Sequence, residues 1–373
     1  MKKKVFYWSP FLSKIATEKA VVNSALNLGK YFKEYECYVI NSIGEFSHYK
    51  NLKLINFFKK DIKNYLPAIG FFKTRFSYIL IFLLTFFKLK RLLSNSKPEY
   101  FIIHLISPLP LLLNYFFNFD TKFILRISGL PNMNIIRVYF WKKMLKKVFV
   151  ITCPTEATKN LLIKINIINA ERIIVLRDPV ISISEIKKKY SSEKMDTKKP
   201  YLLAAGRLTK QKNFKFLIEC FKSISDEYKD LNLIILGDGE LKNDLIDLIN
   251  RLSLSERVRL IGYTKNIFRY IDESKCFLLS SLWEDPGFVL IEAAFFRKII
   301  ISNNCPNGPK DFFNNMDYPF LSDDFTDKKK FVQMIKNYLD NEIYYENLKI
   351  NLLKKTKEYT VYQHCKKLSE ILN

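Results

Sequence analysis

The sequence predicts an α/β fold of two βα domains in tandem, and three observations lead to that fold class. Short β-branched strands alternate with helical segments between residues 3 and 304, a pattern typical of parallel, doubly wound sheets. A lysine-rich stretch that ends in a proline, residues 184–200, divides the alternation into two runs. The 373 residues, of which 48% are hydrophobic, are enough for two cores.

The first domain is predicted over residues 1–183. "KKVFYWS" is its first strand, and Thr17–Lys30 is a helix that Thr17 caps and Glu18 supports in the first turn. Further strands are predicted at "ECYVINS", "EYFIIHLIS", "TKFILRIS", "KVFVITC" and "ERIIVLRDP".

The second domain is predicted over residues 201–340, after a linker at 184–200. Its strands are "YLLAAG", "LNLIILGDG", "VRLIGY", "KCFLLSS" and "KIIISNN". Helices are predicted between them at Phe214–Tyr228, Glu240–Leu252, Ile267–Glu273 and Pro286–Phe296. Residues 341–373 are predicted as C-terminal helices, with a return to the first domain left open.

The composition is strongly basic, with 61 Lys and Arg against 37 Asp and Glu and a net charge of +24. Such an excess attracts polyanions or anionic lipid headgroups, although a biased genome composition would produce it too. The lysines are scattered, whereas a nucleic-acid-binding protein needs a basic stripe with interleaved aromatic residues or a recognisable module. We therefore expect no nucleic-acid partner.

The six cysteines form no C-x-x-C pair and no Cys/His cluster with metal spacing, so reduced thiols are expected. "MKKKVFYWSPF" begins like a signal peptide, but Pro10 interrupts an apolar run that is already too short for one. A cytosolic protein is the expectation.

One apolar segment, Phe71–Leu93, indicates a membrane surface. Its uncharged core, Phe76–Phe87, is too short to span a bilayer, which takes roughly 20 residues. Cations flank this core: Lys73, Arg75, Lys88, Lys90 and Arg91. The pattern is typical of a helix in the membrane interface, and the alternative is an ordinary buried helix with a solvated basic end.

Six of the ten glycines follow predicted strands of the second domain: Gly206, Gly237, Gly239, Gly262, Gly287 and Gly308. In an open α/β sheet this edge is where ligands bind. Arg207 and Lys212 follow the first of these strands, and two cations before a helix suit a diphosphate. A solvated lysine run, with Lys210 and Lys215, is the alternative for Lys212.

Two glutamates eight positions apart, Glu284 and Glu292, follow the strand "KCFLLSS". Asp285 is predicted to cap the next helix, with Pro286 as its first residue. The backbone N–H groups of Gly287, Phe288 and Val289 would then be available to an anion or a hydroxyl group. Because helical side chains tilt toward the N-terminus, both carboxylates can face one ligand.

Arg207, Lys212 and this E-x7-E pair resemble the donor domain of retaining glycosyltransferases of family 4, which have the GT-B fold. The blocks "GRLTKQKNFKFLIECF", "LIILGDGELKNDL", "IGYTKNI" and "LWEDPGFVLIEA" carry the resemblance over Tyr201–Asp311. It implies two Rossmann-like domains that face a central cleft. The chain departs from the family in lacking its glycine pair after the first strand, in "EDPGF" and in Asp311, where glutamate is common.

The resemblance also implies roles for residues. Arg207 and Lys212 would stabilise the leaving diphosphate, Glu284 would face the donor sugar, and Glu292 would bind the ribose. Gly206, Gly237 and Thr264 would complete the donor site beside Gly287, Phe288 and Val289. His104 and Arg126 are candidates for the acceptor side, His104 alternatively being an ordinary strand-end histidine.

Neither a cofactor nor a metal is expected, because two cations would replace a divalent ion at the diphosphate. The expected donor is a UDP-sugar rather than a GDP-sugar. The expected activity is retaining hexosyl transfer to a glycan, lipid-linked as in surface-polysaccharide or lipopolysaccharide assembly, at the inner face of the cell membrane. The alternatives are a nucleotide-sugar epimerase or hydrolase on the same fold, or a basic nucleic-acid-binding protein.

Overall fold

The chain forms two compact units in the computed structural model, which describes residues 2–12, 16–67, 71–129, 134–190, 200–264 and 266–373. The first unit comprises Met1–Val180 together with Thr360–Asn373, and the second comprises Ile181–Tyr359. The last helix therefore belongs to the first unit, whereas residues 341–359 belong to the second.

The first unit is a seven-stranded sheet with the order β3-β2-β1-β4-β5-β6-β7, in which every pair of neighbours is parallel. Its strands are β1 (Lys3–Trp8), β2 (Tyr35–Asn41), β3 (Leu54–Asn56), β4 (Tyr100–Ile103), β5 (Lys122–Arg126), β6 (Val150–Cys153) and β7 (Ile173–Val175). Its helices before residue 180 are α1 (Ala16–Tyr31), α2 (Phe71–Ser96), α3 (Pro108–Phe116), α4 (Ile135–Met144) and α5 (Glu156–Ile165).

Both faces of this sheet are covered, and alternate residues of β1 show how. Phe6 and Trp8 join a buried cluster that contains residues of α2, α3 and α4. Val5 and Tyr7 point to the opposite face, into a cluster with residues of α1 and of the chain end. This two-sided burial explains why the strands are nearly continuous apolar runs.

Strand β3 was not predicted. It pairs with β2 at the sheet edge, where Val39, Ile40 and Asn41 lie opposite its three residues. A three-residue edge strand carries no periodicity of its own, so its formation depends on the neighbouring strand rather than on local sequence.

The second unit is a six-stranded sheet with the order β10-β9-β8-β11-β12-β13, again parallel throughout. Its strands are β8 (Tyr201–Ala205), β9 (Asn232–Leu236), β10 (Val258–Gly262), β11 (Phe277–Leu279), β12 (Ile300–Asn303) and β13 (Leu321–Ser322). Its helices are α6 (Ile183–Tyr190), α7 (Phe214–Ser225), α8 (Lys242–Arg251), α9 (Ile267–Glu273), α10 (Phe288–Phe295), α11 (Pro309–Phe312), α12 (Lys328–Asp340) and α13 (Glu346–Lys355).

The predicted linker needs a correction. Its beginning is helical, since α6 covers Ile183–Tyr190. Lys189 and Glu185 form an ion pair of 2.6 Å one turn apart, and Ile186 is buried, which together stabilise a helix in this lysine-rich sequence. Residues 191–199 of the predicted linker lie outside the described residues.

All six cysteines are free and buried, as expected for reduced thiols. Among the described helices, none combines the length and the apolar character that crossing a bilayer requires.

The chain ends in α14 (Val361–Leu372), which packs against α1 and completes the first unit. His364 lies at its centre, where Nδ1 is 2.7 Å from the Arg177 carbonyl oxygen and Nε2 is 3.0 Å from Ser24 Oγ. A carbonyl only accepts, so Nδ1 carries the proton and Nε2 accepts from Ser24. Burial lowers the pKa of His364 to about 3, and the ring is neutral at pH 7.

Acidification is expected to destabilise the first unit through His364. Between pH 6.5 and about 3 the unfolded chain binds a proton that the folded chain does not. The free energy of unfolding therefore decreases as the pH is lowered, by up to about 1.4 kcal/mol per pH unit. His364→Gln should be less stable at pH 7 but lose less stability on acidification. Urea denaturation of both proteins at several pH values between 7 and 4 measures the difference. Parallel pH profiles would contradict this role.

Candidate active site

The sheet of the second unit has a switch point between β8 and β11. From β8 the chain winds outward through β9 to β10, then returns to β11 and winds outward on the other side. Beyond the carboxyl ends of two such strands, an open parallel sheet leaves a crevice in which ligands bind. The loops that follow β8 and β11 border this crevice, and they contain Arg207, Lys212 and Glu284.

Backbone and side-chain hydrogen bonds join these two loops. Leu282 N donates to the Gln211 carbonyl at 2.8 Å, and Gln211 Nε2 donates to the Trp283 carbonyl at 2.8 Å. Ser280 Oγ donates to the Lys212 carbonyl at 2.8 Å. The two loops are therefore held in a fixed register, which a site made of side chains from both of them requires.

Lys212 and Glu284 meet at the centre of this arrangement. Lys212 Nζ lies 2.5 Å from Glu284 Oε1, and both side chains are largely buried. Ser281, itself buried, donates from Oγ to the same carboxylate oxygen at 2.6 Å. The ion pair holds a cation and an anion at the switch point, where a diphosphate and a sugar would each find a charged partner.

Two glycines provide the space that these charged side chains occupy. A Cβ atom at Gly206 would lie 2.8 Å from Lys212 Cε, and one at Gly308 would lie 2.4 Å from Glu284 Cβ. Gly237 is required for a different reason, because a Cβ there would lie 1.8 Å from the Gly206 carbonyl oxygen. Gly206 and Gly308 thus allow close packing around Lys212 and Glu284, and Gly237 allows close packing against Gly206.

Arg207 and the remaining predicted donor residues lie on the same sheet edge. Arg207 directly follows Gly206 and is exposed. Thr264 lies beyond β10 and accepts at Oγ1 from the backbone N–H of Asn266 at 3.1 Å. Glu292 is buried on α10, eight residues after Glu284.

The start of α10 differs from the prediction. The helix begins at Phe288, with Gly287 as N-cap at φ +84° and no side-chain cap. Asp285 does not cap it, because its carboxylate accepts a hydrogen bond from Asn307 Nδ2 instead. Phe288 and Val289 nevertheless form the first turn, where backbone N–H groups point out of a helix.

In the first unit, His104 follows β4 beside the end of β1, and its backbone N–H donates to the Trp8 carbonyl at 2.8 Å. The winding of that sheet reverses between these two strands. Burial and then the charge of Arg126 lower the pKa of His104 well below its usual range. Nδ1 is buried and has no hydrogen-bond partner among the described residues.

Arg126, the second residue predicted for the acceptor side, is buried and held within the first unit. Its guanidinium donates to Asp178 Oδ1 and to the Leu176 carbonyl, both at 2.6 Å. These contacts give Arg126 a structural role at the end of β5, and its acceptor role stays a prediction.

Within the described residues, no three His, Cys, Asp or Glu side chains gather as they would around a metal ion. Burial, and then the charge of Glu284, raises the pKa of the nearby Cys305 to about 12. That thiol is therefore protonated at neutral pH and is no nucleophile.

The comparison with protein families matches residues 185–355 to the glycosyl transferases group 1. The matched region includes both crevice loops and α10. These residues, somewhat less than half of the chain, are similar to the group 1 glycosyltransferases.

Two relatives are similar in sequence to parts of this chain. An uncharacterized glycosyltransferase, MJ1059 of Methanocaldococcus jannaschii, is 34% identical over 63% of this chain and 64% of its own. The N-acetylgalactosamine-N,N'-diacetylbacillosaminyl-diphospho-undecaprenol 4-alpha-N-acetylgalactosaminyltransferase of Campylobacter jejuni is 30% identical over 40% of each chain. The chain thus spans less than two thirds of each of these relatives.

A solved structure extends the likeness to both units. The S. aureus TarM variant in complex with Fondaparinux, alpha-GlcNAc-glycerol and UDP aligns with a TM-score of 0.72 over all of both chains, at 13% identity. At that identity the likeness shows the fold alone, which is the predicted GT-B fold with two Rossmann-like domains.

Sequence reasoning missed three residues of this candidate site: Ser281, Gln211 and Asn307. Ser281 precedes Glu284 by three positions, and a serine so close to a site carboxylate was a usable signal. Gln211 and Asn307 act through partners 72 and 22 positions away. No local pattern could have indicated them.

Gly308→Ala is expected to disturb the candidate site through Glu284. The added Cβ would lie 2.4 Å from Glu284 Cβ and close to the Pro286 carbonyl oxygen. Because it is confined on both sides, it must displace the Glu284 side chain from Lys212 and Ser281. We expect turnover to fall about tenfold or more and the free energy of unfolding to fall by about 1–3 kcal/mol. Steady-state kinetics and urea denaturation measure the two effects. Wild-type turnover in the folded variant would show that Gly308 does not position Glu284.

Proposed function

We propose that the protein is a retaining, metal-independent glycosyltransferase that moves a hexosyl unit from a nucleotide sugar to a glycan acceptor. The observation that carries the proposal is the Lys212–Glu284 pair at the switch point of the second unit, with exposed Arg207 beside it. Two cations and a carboxylate suit the two halves of a nucleotide sugar, its diphosphate and its sugar.

In the proposed reaction the bond between the anomeric carbon and the diphosphate oxygen breaks, and its electron pair goes to the diphosphate. The acceptor hydroxyl oxygen bonds to the anomeric carbon and passes its proton to the oxygen of the leaving diphosphate. Arg207 and Lys212 stabilise the charge that develops on the leaving diphosphate, and such stabilisation contributes most to catalysis in a site shielded from water.

Glu284 and the first turn of α10 are proposed to hold the donor. Glu284 accepts from sugar hydroxyl groups, Glu292 from the ribose, and the N–H groups of Phe288 and Val289 donate to the phosphates. Support for a UDP-sugar comes from TarM, whose solved complex contains UDP. The retaining outcome is supported by the E-x7-E arrangement and the family, and NMR of the anomeric configuration of the product tests it.

The acceptor is proposed to be lipid-linked, and the protein to attach peripherally to the inner face of the membrane through α2. The name of the Campylobacter jejuni relative includes a diphospho-undecaprenol acceptor. The apolar run of α2 lies between cations and has no acidic residue, which suits an anionic lipid surface.

A nucleotide-sugar panel, assayed for nucleoside diphosphate release with and without lipid-linked glycans, tests the function. Release that an acceptor stimulates, with a glycosylated product, is expected. Free sugar as the only product would identify a hydrolase, and a changed sugar still bound to nucleotide would identify an epimerase. No reaction and no binding of any nucleotide sugar would refute the enzyme.

A further inference from the structure

One side of helix α2 packs against the first unit and includes two hydroxyl groups. At four-residue intervals Ser77, Ile81, Thr85, Leu89 and Leu93 are fully buried against the unit. The Ser77 hydroxyl donates to the Pro67 carbonyl at 2.8 Å, and the Thr85 hydroxyl donates to the Ile81 carbonyl at 2.6 Å. Two hydroxyl groups thus point inward on this helix.

The opposite side of α2 consists of large apolar residues. Phe72, Phe76, Ile79, Leu83 and Phe87 follow each other at intervals of three and four and are exposed, Phe72 by 83% and Phe87 by 76%. A water-facing helix carries its polar residues outside and its apolar residues inside. Helix α2 therefore carries apolar residues on its outer side as well as on its inner side. An apolar outer side fits an apolar phase better than water.

Helix α4, which packs against the same cluster under the first sheet, also carries exposed apolar residues, and the sequence did not indicate a role for it. Ile135 and Ile136 begin this helix, and their side chains are exposed by 89% and 81%. Tyr139, one turn later, is exposed by 70%. Asn134 caps the helix, since its side chain accepts from the Arg137 backbone N–H at 2.8 Å. Two exposed isoleucines are therefore held in an ordered first turn.

Helices α2, α3 and α4 form one layer on one face of the first sheet. α3 packs against both α2 and α4, and buried residues of all three join the cluster that covers Phe6 and Trp8. Phe116, at the end of α3, is also exposed by 67%. The α2–α4 surface, defined as the exposed sides of these three helices, is thus one face of a single layer.

The charges of helices α2, α3 and α4 have one sign. The three helices contain eight Lys and Arg residues and no Asp or Glu: Lys73, Arg75, Lys88, Lys90, Arg91, Arg137, Lys142 and Lys143. A second copy of the same surface would be repelled, and a polar polyanion would leave the aliphatic side chains exposed. An anionic bilayer offers both a negative headgroup region and an apolar interior.

We propose that the whole α2–α4 surface, with the first turn of α4 as a second insertion point, binds the interface of an anionic membrane. The proposal rests on the membrane attachment proposed above and deepens it, because two separated helices would fix the orientation of the first unit on the bilayer. Ile135 and Ile136 insert among the acyl chains, while the cations of the layer meet the headgroups.

The test is co-sedimentation of the full chain with vesicles of phosphatidylglycerol and phosphatidylcholine, and with vesicles of phosphatidylcholine alone. Wild-type protein should bind the anionic vesicles, and more weakly at high salt. The double variant Ile135→Ser/Ile136→Ser should bind the anionic vesicles at least about tenfold more weakly, because it removes apolar area without changing charge. The matched control is Ile343→Ser/Tyr344→Ser, a pair that is exposed by 88% and 82% in the second unit, and it should bind like the wild type.

Wild-type binding by the α4 variant would overturn the two-helix surface and leave α2 as the sole anchor. Membrane binding would be refuted if the wild-type protein stayed in the supernatant. It would also be refuted if sedimentation velocity showed that the protein dimerises through α4 without binding vesicles. Donor binding without vesicles should be equal in all three proteins. Vesicle binding without any nucleotide-sugar binding would refute the proposed enzyme but not this surface.

Discussion

Arg207→Ala and Lys212→Ala are each expected to lower turnover about 10²-fold or more, because each removes a cation that we propose stabilises the leaving diphosphate. Arg207 is exposed, so its loss should hardly change the free energy of unfolding. Lys212→Ala should also destabilise the protein, since it leaves the buried Glu284 carboxylate with Ser281 but without its cation.

Lys210→Ala is the matched control for both variants. Lys210 is an exposed cation in the same short turn, Lys210–Lys212, two residues from the pair. Its replacement removes the same charge but should leave turnover near the wild-type value. Equal losses in Lys210→Ala and Arg207→Ala would mean that overall basic charge, rather than a defined diphosphate site, supports activity.

The second large effect separates the two glutamates. Glu284→Gln is expected to lower kcat about 10²-fold, because it removes the charge that faces the donor sugar and that pairs with Lys212. Glu292→Gln is expected mainly to raise the KM for the donor, since contacts to the ribose are equal in the ground state and the transition state.

Steady-state kinetics over a range of donor concentrations, with acceptor saturating, gives kcat and KM for both variants. Ser281→Ala is an informative companion, because it removes one hydrogen bond to Glu284 and keeps the charge. It should lower kcat less than Glu284→Gln does. If both glutamate variants changed kcat and KM alike, the assignment of separate roles would be wrong.

The sequence predicted the crevice loops because their positions follow from strand ends. Parallel strands deliver their carboxyl ends to one edge, so Arg207 after β8 and Glu284 after β11 had to be neighbours once these strands were adjacent. Glycines at the same edge predicted a ligand-binding crevice, and the structure places the Lys212 side chain against Gly206 and Glu284 against Gly308.

The rest depends on contacts between residues distant in sequence. Asp285 has the right residue type and position for an N-cap, yet Asn307 from the loop after β12 binds its carboxylate, and the helix starts later. Arg126 also has a partner distant in sequence, Asp178 at 2.6 Å, while its place on the acceptor side stays a prediction. Local preference is overridden wherever a tertiary partner competes for the same group.

Helix α2 shows both sides of this limit. Its apolar run and flanking cations predicted a helix at the membrane interface, and the structure contains the helix, Phe71–Ser96. Which of its residues face outward depends on packing against the sheet. The exposed isoleucines of α4 could not be recognised at all, because an apolar helix start is equally typical of a buried one.

Calorimetric titration of UDP into the ligand-free protein, with a chelator present, tests the central claim most directly, namely a metal-independent donor site in the second unit. The account predicts one UDP site per chain. The affinity for UDP should fall at least about tenfold in Arg207→Ala and be unchanged in Lys210→Ala. GDP titrated in parallel should bind more weakly. The account would be contradicted if no nucleoside diphosphate bound the wild type, or if Arg207→Ala bound UDP as tightly as the wild type does.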